Sequence, residues 1–249
     1  MTEETIQKLR RLRMSAMADA YLAQINEPDN FRGMTFDERF AMLVDRECDV
    51  RYNNKLKRMI KNARFPSDHA FISDIAYLPG RNLDKDLIMR LATCNYIAEK
   101  RNIIIVGPTG VGKTFLANCL GLLACQNGFR ARYVRLPDLF TEFGIAIESR
   151  RDTARLLKEY QKYEKYDLLI LDEYLLSEPR PEDTQIMFEI SERRYDRGAT
   201  IFCSQFDPSA WHVQLGGGPM VEAMLDRITS NAYTMVLTGE SMRRYKAEV

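Results

Sequence analysis

A chain of 249 residues with 45% apolar side chains can bury a full core, as one large domain or as a domain with an appendage. Its net charge of +1 gives no global pull toward nucleic acid or membrane, so either partner has to be met by a local patch. Five cysteines without a C-x-x-C pair argue against a disulfide framework or a zinc site and point to a reducing, cytoplasmic setting; the acidic start has no apolar signal core, and no run reaches membrane-spanning length.

In chain order, Thr5 to Tyr21 read as one amphipathic helix with Ile6, Leu9, Leu12, Met17 and Tyr21 near one face, and Pro28-Asp29-Asn30 breaks it. Thr35 with Glu38 three residues on forms a capping box. The helix it opens carries Phe36, Phe40, Leu43 and Val44 and runs into a basic stretch with Arg51, Lys55, Lys57, Arg58, Lys61 and Arg64, which Phe65-Pro66 ends. The expected divisions are a small all-α domain over 1–65, a connector over 66–98 with a helix near Asp84 to Glu99, and an α/β domain over 99–249.

The α/β domain alternates strands and helices. Strands are expected at 103–106, 130–134, 166–171, 200–203 and 233–237. The helices between them are expected at Lys113–Gln126, Pro137–Glu148, Thr153–Tyr163, Glu182–Asp196 and Met220–Ser230. Alternation with short connections predicts a five-stranded parallel sheet covered by helices on both faces. The chain stops soon after the last strand, which predicts no C-terminal helical lid domain.

Gly107-Pro108-Thr109-Gly110-Val111-Gly112-Lys113-Thr114 satisfies the phosphate-loop pattern G-x-x-x-x-G-K-[ST], directly after a buried strand and at a helix start with Phe115 next in line. Glycines let backbone N–H groups turn inward, and the helix N-terminus adds partial positive charge. Lys113 reaches the β and γ phosphates of a nucleoside triphosphate, and the Thr114 hydroxyl ligates magnesium. About sixty residues later the apolar run Leu168-Leu169-Ile170-Leu171 delivers Asp172 and Glu173 to the C-terminal edge of the sheet, where ligands bind. Asp172 is expected to hold the hydrated magnesium, and Glu173 to deprotonate the water that attacks the γ phosphate. A small-molecule kinase needs no such carboxylate.

The strand ending at Ser204 is expected between the first strand and the Asp-Glu strand, which makes Gln205 the candidate sensor of the γ phosphate. Arg227, near the end of a helix, is the candidate to project into a neighbouring subunit. Arg243 or Arg244 is the candidate second sensor. Besides 51–64, DNA phosphates are expected to meet Arg130, Arg132 and Arg135, or the set Arg150, Arg151, Arg155, Lys158, Lys162 and Lys165. The named DNA contacts are Lys55, Lys57, Arg58, Lys61, Arg150, Arg151, Arg155 and Lys158, without a base-reading motif. His69, His212 and Gly216-Gly217-Gly218 receive no chemical role, and Trp211 reads as packing.

Together these stretches resemble the IstB family, the ATP-binding helpers of one class of bacterial insertion-sequence transposases. That family is similar to replicative helicase loaders and the bacterial replication initiator, all within the AAA+ superfamily. The likeness runs through Glu47…Arg51, Ala63-Arg64-Phe65-Pro66, Asn102 to the phosphate loop, Leu171-Asp172-Glu173, Arg193-Arg194-Tyr195, Thr200 to Gln205, Trp211, Leu225-Asp226-Arg227 and Gly239 to Arg243. It implies an AAA+ P-loop ATPase that self-assembles on double-stranded DNA with ATP and Mg2+. Arg227 would complete the next subunit's site, and the assembly would recruit and stimulate a cognate transposase. The runner-up is a helicase loader acting with single-stranded DNA; the basic run ending at Pro66 favours the transposition helper. Gln205 departs from the asparagine that many AAA+ proteins place at the sensor position.

Overall fold

The structure is a computed structural model that describes residues 2–148 and 153–243. It divides into two compact units, Met1–Arg58 and Met59–Val249.

In the first unit, α1 (Thr2–Arg11) and α2 (Ser15–Asn26) precede a 3-10 turn at Pro28–Phe31 and the start of α3 (Phe36–Ala63). The single helix expected over Thr5–Tyr21 is therefore two helices. Arg13 takes a left-handed φ of 59°, which ends α1. The physical reason for the break lies thirty residues downstream. The buried Glu47 carboxylate accepts the Met17 N–H at 3.0 Å, one of the first-turn donors that α2 cannot satisfy itself. Arg51 donates to the other Glu47 oxygen at 2.7 Å and to the Arg13 carbonyl at 2.9 Å, closing both sides of the break. Thr35 and Glu38 cap α3 reciprocally, as the sequence predicts: the Thr35 N–H donates to Glu38 at 2.7 Å and the Glu38 N–H to Thr35 Oγ1 at 3.3 Å.

The second unit begins in the last turn of α3 and continues through a 3-10 turn at Ile72–Asp74. Then come α4 (Lys85–Ala92), α5 (Asn95–Ala98), β1 (Asn102–Val106), α6 (Lys113–Gln126), β2 (Ala131–Arg135), α7 (Leu136–Glu148) and α8 (Thr153–Glu164). β3 (Leu168–Tyr174), α9 (Pro181–Arg194), β4 (Ala199–Ser204), α10 (Pro208–Gln214), α11 (Pro219–Thr229) and β5 (Ala232–Val236) complete it. The helix expected near 84–99 is split at Cys94, whose φ is 61°. α10 was not foreseen, although Asp207 caps it by accepting the Ser209 N–H and Pro208 opens it.

The five strands are all parallel, in the order β2-β3-β4-β1-β5. β4 lies between β1 and β3, as expected from the sequence. The apolar runs are continuous because helices cover both faces of the sheet. Leu169 and Leu171 join a cluster with Leu139, Phe143, Ile186, Phe202 and the fully buried Trp211 on one face. On the other face, a Cβ on Gly121 of α6 would lie 2.9 Å from Ile170 Cδ1 and 2.4 Å from Phe65 Cε1. Glycine there lets α6 approach the sheet, which fixes the height of the helix whose first turn holds the phosphate loop.

Buried Arg194 shows how this fold accommodates a cation without a carboxylate. It donates to Thr200 Oγ1 at 3.0 Å, to the carbonyls of Tyr163 and Tyr166 at 2.8 Å each, and to that of Ala199. Burial lowers its pKa to about 10. Among the described residues, no helix is long and apolar enough to cross a membrane.

Candidate nucleotide site

β1 ends at Val106 and the chain turns at once into the loop. Gly107 has φ 153°, and a Cβ there would sit 2.3 Å from the Leu237 carbonyl oxygen beyond β5. Only glycine lets the loop start this close to the neighbouring strand's exit. Gly110 and Gly112 also take positive φ values of 89° and 102° before α6 begins at Lys113. Lys113 Nζ donates to the carbonyls of Gly107 at 2.6 Å and Pro108 at 2.9 Å, so the ammonium lies folded over the loop. Burial pulls its pKa below the usual lysine value, with Cys203 and Asp172 opposing.

Asp172 is buried at the end of β3 and gathers three donors. Thr114 Oγ1 donates to Oδ2 at 2.7 Å, Tyr133 Oη donates to the same oxygen at 2.8 Å, and the Glu173 N–H donates to Oδ1 at 2.9 Å. Tyr133 on β2 has its pKa raised, first by burial and then by the Asp172 charge, so it remains a donor. The register of β3 against β4 shifts between Leu171 and Tyr174, and Glu173 lies inside that irregularity with a left-handed φ of 55°. Such bulges re-aim a side chain at the end of a strand. Glu173 stands beside Asp172 with its Oε1 3.8 Å from Arg135 Nη1.

Gln205 is exposed one residue beyond β4, whose Ser204 carbonyl accepts the Gly107 N–H at 3.2 Å. That bond sets the candidate sensor beside the start of the loop. A cavity of about 330 Å³ opens next to the loop, lined by Gly110, Gly112, Lys113, Thr114, Phe115 and Arg243 among others. The Met242 N–H donates to the Gly110 carbonyl at 2.9 Å, and this carries Arg243 to the cavity. Arg244, Arg150 and Arg151 lie outside the described residues.

Arg227 is not brought to this cavity. It lines a separate hollow with Asn102, the first residue of β1, and with Lys100 and Gly198, which precede β1 and β4, at the opposite edge of the sheet from the loop. There its Nε pairs with Glu192 at 2.7 Å, and Nη1 donates to the Ala223 carbonyl at 2.8 Å. Lys55, Lys57, Arg58 and Lys61 are exposed on α3, and Arg155 and Lys158 on α8. The strand set is engaged within the chain instead. Arg130 pairs with Asp167 at 3.2 Å, buried Arg132 with Glu142 at 3.1 Å, and Arg135 with Asp138 at 2.9 Å.

Sequence reasoning missed Tyr133 and Arg81. Tyr133 stands opposite Ile170 in the β2–β3 register, and nothing in its local pattern marks it as a partner of Asp172. Arg81 sits in a connector turn, yet it donates to the Val111 carbonyl of the phosphate loop at 2.6 Å.

A parallel sheet in this strand order, with a phosphate loop after β1 and an acidic pair at the end of β3, defines a P-loop NTPase of the AAA+ type. The chain belongs to the IstB-like ATP binding protein family, whose profile matches residues 7–248. It is 34% identical over 244 residues to an insertion sequence ATP-binding protein of Sinorhizobium fredii, covering 97% of this chain and 95% of that one. Among solved structures it is similar to AMPPCP-bound DnaA from Aquifex aeolicus, with TM-score 0.59 and 17% identity over 74% of this chain, and it spans 56% of that structure's length. It is also similar to the DnaC helicase loader, with TM-score 0.53 and 17% identity over 69% of this chain and 100% of that one. The protein is thus an ATP-binding AAA+ protein of an insertion-sequence family.

Proposed function

We propose that this protein is a DNA-binding AAA+ ATPase that self-assembles on target duplex DNA and recruits and stimulates a transposase. The observation that carries the hydrolytic part is the convergence of Thr114, Asp172 and Glu173 beside the loop. Similarity along nearly the whole chain to an insertion sequence ATP-binding protein supports the setting in transposition.

Lys113 exchanges its carbonyl partners for phosphate oxygens, a stronger charge-assisted pairing. Thr114 and Asp172 present hard oxygen donors 2.7 Å apart, a set that fits Mg2+ held by the hydroxyl and, through water, by the carboxylate. Magnesium held there would supply neutralisation of the phosphate charge. Glu173 accepts the proton of the attacking water. The water oxygen bonds to the γ phosphorus as the bond to the β–γ bridging oxygen breaks, and ADP leaves with that electron pair. Gln205 orients the water, and Arg243 contacts the nucleotide from the C-terminal side. Arg227, at the far edge of its own sheet, serves the nucleotide of a neighbouring subunit.

Exposed Lys55, Lys57, Arg58 and Lys61 on α3, with Arg155 and Lys158 on α8, contact the DNA backbone without reading bases. The test compares binding to duplex and single-stranded DNA of equal length, with ATP and with ADP, at one salt concentration. Cooperative, ATP-dependent binding to duplex is the expected result. Preference for single strands transfers the reading to a helicase loader, which the likeness to the DnaC helicase loader makes the second candidate. Absence of DNA binding in both nucleotide states overturns both.

A further inference from the structure

Arg81 is 8% exposed and sits against the phosphate loop. Its Nη2 donates to the Val111 carbonyl, a Cβ on Gly112 would lie 3.0 Å from that nitrogen, and Nη1 donates to the Ala76 carbonyl. Its backbone is fixed as well, since the Thr238 N–H donates to the Arg81 carbonyl at 3.2 Å. The guanidinium forms no ion pair among the described residues, and its Nε has no hydrogen-bond partner. Burial lowers its pKa.

Arg194 is the internal comparison. It too is buried and, among the described residues, without an ion pair, but its three nitrogens are spent on four acceptors. Arg81 has five N–H donors and, among the described residues, two acceptors. A buried charge left without a counter-ion or a full set of hydrogen bonds is costly, and such a group persists where something else supplies the missing partner. Arg81 lines the same cavity as Gly110, Gly112, Lys113 and Thr114, where an entering anion would meet its guanidinium.

We propose that Arg81 is a phosphate-binding member of the nucleotide site, with a phosphate oxygen of the bound nucleotide as the counter-ion its buried guanidinium lacks. This rests on the phosphate-loop cavity being the ATP site. Because Arg81 also grips Ala76 and Val111, bound nucleotide ties the 76–83 segment to the loop.

The test has two parts. In the first, ATP and ADP are titrated into wild type, Arg81→Met, Arg81→Gln and Lys113→Ala, and melting is followed with and without nucleotide. Arg81→Met is expected to weaken both nucleotides about tenfold to a hundredfold, the range for charge-assisted contacts. Without nucleotide it melts at or above the wild-type temperature, because an unpaired charge has gone, while the nucleotide-induced rise shrinks. In the second, the side-chain Nε–H signal of wild-type Arg81, identified by its loss in Arg81→Gln, is expected to shift on adding ATP.

Wild-type affinity and an unshrunken rise in Arg81→Met and Arg81→Gln, with Lys113→Ala failing to bind, overturn the inference and leave the ATP site standing. An Arg81 signal that saturating ATP does not move overturns it too. An Arg81→Met chain that is unfolded without nucleotide also counts against it, since the guanidinium would then act chiefly as a brace. ATP binding to Lys113→Ala as to wild type removes the underlying reading of the cavity.

Discussion

Thr114 Oγ1 and Asp172 Oδ2 are 2.7 Å apart, across a separation of 58 residues, and the hydroxyl donates to the carboxylate. The two side chains that would share a magnesium ion thus already face each other. Thr114→Val removes the hydroxyl and keeps the shape. The expected outcome is an unchanged fold by circular dichroism and ATP hydrolysis reduced by about a hundredfold or more. The dependence of ATP binding on added magnesium also flattens. Equal turnover in wild type and variant would separate Thr114 from the metal.

Glu173→Gln keeps the size and the backbone conformation of the side chain and removes its basicity. Hydrolysis is expected to fall by ~10²–10⁴, the usual worth of a positioned base, while ATP affinity stays within a few-fold of wild type. Single-turnover phosphate release checks the first statement and equilibrium titration the second.

Arg227 pairs with Glu192 at a half-buried site, and such a pair contributes little to stability, about 0–1 kcal/mol. Arg227→Ala should therefore melt close to wild type yet lose turnover by ~10³ or more if the arginine serves a neighbour. The decisive measurement mixes two dead proteins, Arg227→Ala and Lys113→Ala. Recovery of activity in the mixture requires one chain to supply the arginine and the other the loop; a mixture as inactive as its parts removes the shared site.

Two glycines in helices give opposite expectations. A Cβ on Gly121 meets Phe65 and Ile170, whereas one on Gly144 of α7 meets nothing within 4 Å. Gly144→Ala should stabilise by up to about 1 kcal/mol through helix propensity. Gly121→Ala should destabilise by about 1–2 kcal/mol despite the same propensity gain, because overpacking outweighs it. Urea unfolding of both variants measures the contrast.

Glu47 sets a pH dependence in the helical unit. Arg51 holds its carboxyl below the usual glutamate range, with the Met17 N–H assisting against burial. A depressed carboxylate contributes stability that is fully present above its unfolded value near 4.5 and is lost as pH falls through the lower folded value. Amide exchange at Met17 should accelerate across that acid window in wild type. Glu47→Gln should show the faster exchange already at neutral pH, at a cost of about 1–3 kcal/mol.

The α/β order, the loop and the Asp172–Glu173 pair were legible because each is a local signal: a buried run, a glycine spacing, an acid at a strand end. β4 between β1 and β3 was expected as well, and the strand order bears it out. What stayed hidden depends on long-range partners. The break at Arg13 needs Glu47 and Arg51, and Tyr133 acquires its role only when β2 pairs with β3. Arg81 joins the loop across thirty residues of connector, helix and strand. The two Arg-rich stretches on strand and helix look alike as sequence. Only the structure shows Arg132 sunk against Glu142 and Lys158 standing in solvent.

The left-handed backbone at Glu173 places two kinds of selection in opposition. For a side chain with a Cβ that conformation costs roughly 1–2 kcal/mol, and glycine removes most of the cost. A search for heat-resistant variants of this protein should therefore enrich Glu173→Gly, and the chains it returns would be sturdier and unable to turn over. With Glu173 as the base proposed above, position 173 would set durability against turnover for anyone engineering this molecule.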